Sequence, residues 1–350
     1  MPAPAYAPLD DALEKLAPYG IGLANGNFNH APMVAEALCA LGRPDAVFPW
    51  IEAYRPRLTP RPAAGDEIID WSRYRDHLGR RDSFPDWSRL FAAELATEPW
   101  RRVLDRWAAR LAPGYSGAAT HGAIRVGHAV RALTEAETRV RLRELADALA
   151  SWAASYAELP TATGAEGGRY APAAALAKVP VVPTERRPPG NITVVLGKLT
   201  EFPQFALAID LVELGDDLDA AVAALAELFA RVYLANAVDT RSFIVFVHSV
   251  TAVHALGNML PQVSPATGRL LARHAWQAGC GLYAAFGGKP PADVVEAGDE
   301  DAGVLVNEAV ANSDEHVIKF TEACLARHKI APSPAYFAAI RHALGVVPRR

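Results

Sequence analysis

Cysteine is scarce. The 350-residue chain has three, Cys39, Cys280 and Cys324, far apart and without a C-x-x-C pair, which excludes a disulfide framework and gives no zinc knuckle. Positive charge is not in excess either. The formal net charge is -4 and no basic stripe precedes the terminal Pro-Arg-Arg, so no nucleic-acid partner is expected. No apolar run approaches the roughly 18 residues of a membrane span. The start, "MPAPAYAPLDDALEKL", lacks a basic region followed by an apolar one. Neither a membrane partner nor a secretory leader is expected, and the expected location is the cytoplasm.

The common catalytic signatures are missing as well. None of the ten histidines is followed two positions later by Asp or Glu, the local half of a 2-His-1-carboxylate iron site. None is preceded three positions earlier by Glu, as in ferritin-like di-iron bundles. There is no H-E-x-x-H, no Walker loop and no G-x-S-x-G. "YGIGLANG" (19–26) is a near miss for a dinucleotide fingerprint, but no strand-like run precedes it, and it is read as a turn before a helix.

What is present is helix. Alanine is abundant and 51% of residues are apolar, giving one large all-α domain over 1–350 as the expected fold class. "APMVAEALCALG" (31–42) ends on a C-cap glycine. Residues 86–114 read as two amphipathic helices stopped by Pro113-Gly114. Further helices are expected at about 119–133, 134–157, 202–214, 217–236, 241–260, 266–286, 302–311, 313–328 and 334–344. Only "NITVVLG" (191–197) reads as a strand, because its β-branched run lies between glycines. The Pro/Gly-rich stretch 159–191 is expected to be a long crossover or lid.

The histidines carry the chemistry. His248 and His254 lie in "SFIVFVHSVTAVHAL", apolar all round and therefore a core helix. A buried imidazole needs a partner on both nitrogens, either backbone carbonyls alone or a carbonyl and a metal. Six residues apart, about 240° round a helix, these two cannot point at one centre. His30 follows Asn29, a natural N-cap. It is either a capping-region surface residue or a lone pair kept neutral by the positive end of the helix. His121 and His128 are seven apart on one face, lining a polar cavity or solvent, and the adjacent Gly122 and Gly127 allow close backbone approach. His77, His274, His328 and His342 read as surface residues.

"SDEHVIKFTEA" (313–323) puts His316 and Lys319 on one helical face. Spacing alone favours a solvated helix capped by Ser313 or Asn312, with a Glu315–Lys319 i,i+4 pair. The other reading takes His316 and Lys319 inward to a metal.

Taken together and in order, "NFNHAPMVAEALCALG", "HGAIRVGHAVRAL", "FIVFVHSVTAVHAL" and "DEHVIKFTEA" resemble the questin oxidase-like family over about residues 20 to 330. The tryptophan-rich segment from Trp71 to Leu111 shares the resemblance. The family includes fungal enzymes that oxidatively open anthraquinone-type rings, some described as Baeyer–Villiger-like. The resemblance implies a mainly helical protein with mononuclear non-haem Fe(II) held by His30, His121, His248, His316 and a carboxylated Lys319. It implies a small aromatic substrate and O2 as partners, with no flavin. NADPH is then a candidate external reductant and a homodimer a candidate assembly. His128 and His254 fall outside the ligand set. Arg125 is a candidate to face a phenolate or quinone oxygen, and Asp314 or Glu315 to orient a ligand imidazole. Two alternatives stay open: a metal-dependent hydrolase using the same histidines, and a helical ligand-binding protein in which they are structural.

Overall fold

The computed structural model describes residues 4–65, 68–162, 168–293 and 301–349. It is mainly helical. Among the described residues the β-structure with a ladder is one antiparallel pair, Tyr19–Leu23 against Leu58–Pro60. The first of these strands falls on the glycine-rich stretch read as a turn. It was hidden because glycine, which fills every second position, is a poor strand former. A tight turn follows, with Gly26 at φ +83, and the Asn29 amide nitrogens donate to Ile21 O and Gly20 O at 2.8 and 2.9 Å. The hairpin thus delivers Phe28 and His30 inward.

Residues 191–197 correct another expectation: Ile192–Gly197 is a short helix. Asn191 Oδ1 accepts from Val194 N at 3.0 Å, and this cap plus burial of Val195 and Leu196 overrides the β-branched run. Residues 203–210, expected as α-helix, form a 3-10 helix, Pro203–Asp210. Helices Leu9–Leu16 and Pro44–Tyr54 were not anticipated. The 159–191 stretch, of which 163–167 lie outside the described residues, is a crossover held to the core. Leu159, Leu176, Val179 and Val182 are buried, and Val182 N donates to Ala284 O at 2.8 Å.

The centre is the 20-residue helix Thr240–Met259. Asp239 and Ser242 start it with a reciprocal capping box. With its 3-10 extension to Gln262 it is apolar and long enough to cross a membrane, although polar residues interrupt it too often to read as one apolar run. Of its most apolar window 78% is buried inside the protein. It packs against His121–Glu135 and Glu315–Ile330, and Ala31–Ala40 packs against the same two helices, closing a ring of four. Ala31–Ala40 also separates the main core from a smaller one built on the N-terminal helices.

The predicted close approaches are between helices rather than onto a cavity. A Cβ on Gly122 would lie 2.5 Å from Trp152 Cα, and one on Gly127 would lie 2.5 Å from Ala255 Cβ. Alanine is the better helix former by about 0.5–1 kcal/mol, but the clash decides the sign. Gly127→Ala is expected to destabilise by about 1–3 kcal/mol, read as a lower midpoint of denaturant unfolding at unchanged m.

Candidate metal centre

Four histidines from four helices meet inside this ring. His30 Nε2 lies 2.8 Å from His121 Nε2, and His248 Nε2 lies 3.3 Å from His121 Nε2. The His30 and His316 rings are 4.7 Å apart at their centroids, and the His248 and His316 rings 5.7 Å. A ligand atom from each of His30, His121 and His316 falls within 4.8 Å of the other two. A first-row ion about 2.1 Å from each nitrogen sets neighbouring nitrogens roughly 3–4 Å apart, close to what these rings present.

Two of the tautomers follow from the backbone. His121 Nδ1 is against Ala118 O, and His248 Nδ1 is 2.5 Å from Ile244 O. A carbonyl only accepts, so each ring carries its proton on Nδ1 and turns an Nε2 lone pair inward. Those lone pairs face one another at 3.3 Å. One proton on His30 Nε2 can serve one of them, whereas a cation satisfies the whole set. The donor set therefore fits a borderline divalent metal such as iron or zinc.

Burial pushes the imidazoles of His30, His121 and His248 well below the usual histidine range, with the neighbouring Lys319 charge adding to it. Neutral imidazole is the form that ligates. Three helix N-termini also converge: His30 precedes the first residue of its helix, His121 opens its own, and His316 is second in its helix. Their positive ends favour an anion beside the rings. Lys319, 3% exposed, lies one turn after His316. Its Nζ is 3.9 Å from Met33 Sδ. Burial lowers this amine to about 8, against the opposing pull of Glu315 and Asp314.

The other predicted roles are distributed differently. Asp314, rather than Ser313 or Asn312, caps the last motif helix, its Oδ1 accepting from His316 N at 2.8 Å. The same oxygen lies 3.3 Å from His316 Nδ1 without hydrogen-bond alignment. Glu315 takes both ends of the Arg57 guanidinium, at 2.8 and 3.1 Å. Arg125 is committed to Glu144, at 2.6 and 2.8 Å, and to Ser151 at 3.0 Å, rather than held free for a substrate oxygen. His77 and His274, read as surface residues, are 7% and 9% exposed. The neighbouring polar residues misled because they are on other faces.

Several contributors had no sequence signal. The Phe28 ring stacks on His121 with centroids 4.8 Å apart, and Phe243 meets His316 edge-on at 6.4 Å. The Tyr54 hydroxyl accepts from His30 N at 3.3 Å. Ala118, Ala119 and Thr120 all have left-handed backbone, φ +46, +55 and +69. This conformation costs an L-residue about 1–2 kcal/mol each, and it turns the Ala118 carbonyl onto the His121 ring. Such strain concentrates at functional sites. His128 and His254 are buried away from the rings just described, in a separate ionic cluster. His128 Nδ1 lies 2.6 Å from Glu36 Oε2, and His254 Nε2 lies 3.2 Å from Glu322 Oε2.

The sequence profile described as Questin oxidase-like matches residues 28–324, most of the chain and all four histidine segments. No curated protein matches.

Ala119→Gly, a change that costs about 0.5–1 kcal/mol in an ordinary helix, should leave stability unchanged or raise it, because it relieves left-handed strain. Denaturant midpoints decide the sign. Glu36 is held down from 4.5 to about 2, the Arg131 guanidinium and its hydrogen bonds with His128 and Arg131 overcoming burial. A depressed carboxyl contributes stability that is present above its unfolded value and lost as pH falls through its folded one. Stability should therefore drop between pH 4.5 and about 2, and Glu36→Gln should flatten that slope in unfolding curves taken across the window.

Proposed function

The chain belongs to the questin oxidase-like family, and from that premise we propose that it is an iron-dependent oxygenase. Its substrate is an aromatic, polyketide-like small molecule, opened by oxidative ring cleavage or by flavin-free, Baeyer–Villiger-like oxygen insertion. The family's name is that of an oxidase. The observation that carries the iron reading is the pair of inward lone pairs on His121 and His248, fixed by carbonyls on their far nitrogens and joined by His30.

In this reading His30, His121, His248 and His316 are the nitrogen ligands and Lys319 supplies an oxygen. With the amine lowered to about 8, the unprotonated form is within reach near neutral pH. Its lone pair adds to the carbon of CO2 and the nitrogen loses a proton, leaving a carbamate anion. That anion suits both a buried dication and the three converging helix N-termini. Iron, when bound, supplies the one-electron chemistry that lets dioxygen react with an electron-rich ring. The protein's part is to hold lone pairs and exclude water. The carbonyls of Ala118 and Ile244 keep the His121 and His248 protons outward, Asp314 fixes the start of the His316 helix, Phe28 covers a face of the His121 ring, and Phe243 packs beside His316.

Metal analysis of the whole protein is expected to give about one iron per chain, and O2 uptake with hydroxyanthraquinones is expected to require it. Stoichiometric zinc, or no metal, would overturn the reading. Lys319→Ala should lose iron and activity and regain part of both with added acetate or propionate. Full iron occupancy in that variant would remove Lys319 from the ligand set.

A further inference from the structure

Each proposed histidine ligand is followed, six or seven residues later on its own helix, by a second buried polar side chain. Glu36 follows His30, His128 follows His121, His254 follows His248, and Glu322 follows His316. Two helical turns span about 7 residues and roughly 10 Å. These four meet one another, so the four helices run the same way from the histidine layer, and the second set forms a parallel layer about two turns further on.

Arg131, one turn beyond His128, joins it. Nε and Nη2 donate to the two carboxylate oxygens of Glu36 at 2.7 and 2.5 Å. Nη1 donates to Glu322 Oε1 and lies 2.9 Å from His254 Nε2. Nη2 is 3.5 Å from His128 Nδ1, and the Tyr6 hydroxyl donates to Glu36 Oε1 at 2.6 Å. One guanidinium thereby touches side chains from all four ligand-bearing helices.

We propose that Arg131 is a positioning residue for the metal centre, its guanidinium setting the common register in which the four histidines converge. The inference rests on the metal reading above. Apolar packing alone tolerates a small slide of one helix past another, because equivalent contacts reform. A planar fork bonded to two carboxylates does not, since a one-residue slip moves a partner about 1.5 Å and turns it about 100°. Ligand geometry needs positions held within about 0.5 Å. Positioning of this kind, rather than stability, is the best-attested use of a buried ionic group.

The test separates register from stability. Arg131→Met alone leaves two buried carboxylates without their guanidinium, so it is combined with Glu36→Gln and Glu322→Gln. Such neutral replacement of a buried ionic cluster is often tolerated. Arg131→Lys, which keeps the charge but not the fork, is the second variant. Co(II) is the probe, followed by its d–d absorption and by competition for affinity, and metal-free thermal unfolding is recorded beside it. In the combined variant, metal-free unfolding should stay close to wild type while Co(II) affinity falls about 10–100-fold and the bands shift. The lysine variant should show the same direction. Wild-type affinity and bands in whichever variant folds would overturn the inference, as would losses of affinity that merely track losses of metal-free stability. A wild-type chain that takes up no Co(II) would instead overturn the metal reading, and the inference with it.

Discussion

The structure turns on two protons that are kept out of its centre. Nδ1 of His121 and of His248 each face a carbonyl oxygen, of Ala118 and Ile244, so both inward nitrogens carry lone pairs in a site without bulk water. Two acceptors at 3.3 Å repel unless something positive lies between them, and that requirement organises what surrounds them. The left-handed run 118–120 aims one carbonyl. The other comes from the preceding turn of the core helix itself, where a buried imidazole must find a partner.

The same constraint explains why the polar interior comes in two layers. Neutral imidazoles cannot tie helices together by charge, and the proposed metal site, drawn from four helices, could not supply its own register before it was filled. The ionic layer lies two turns away, far enough that Arg131 does not compete with a cation for the histidines and near enough, about 10 Å along rigid helices, to transmit their alignment. Tyr6 extends this layer to the smaller core, so the N-terminal helices also bear on the centre.

Much of this was legible in the sequence, for identifiable reasons. Helical periodicity gave the fold class and most helix positions, and the all-apolar surroundings of His248 marked a buried imidazole whose second nitrogen needed an explanation. The seven-residue step from His121 to His128 gave one shared face, and both are buried on it. What spacing could not reveal was convergence from distant segments, which rested on resemblance until the rings were seen together. The strand Tyr19–Leu23 and the helix Ile192–Gly197 were misread because glycine is a poor strand former and a side-chain cap outweighs β-branched preference. The Arg131 layer did leave a trace. Glu36 and Glu322 are charges in buried helices at the same offset from His30 and His316, a pairing that becomes visible once the histidines are taken as one set.

Position 319 holds a lysine rather than a carboxylate. A permanent carboxylate at this position would bring a full charge into a buried site whenever the metal was absent, and a buried charge without a counter-ion protonates or destabilises the fold. Lys319 avoids this. As a cation it feels Glu315 and Asp314, and as a free amine it is neutral and compatible with its contact to Met33 Sδ. In the proposed centre its negative oxygen is formed by CO2 together with the cation that offsets it. On that proposal the protein folds around a side chain that carries the ligand charge only when that charge has a partner.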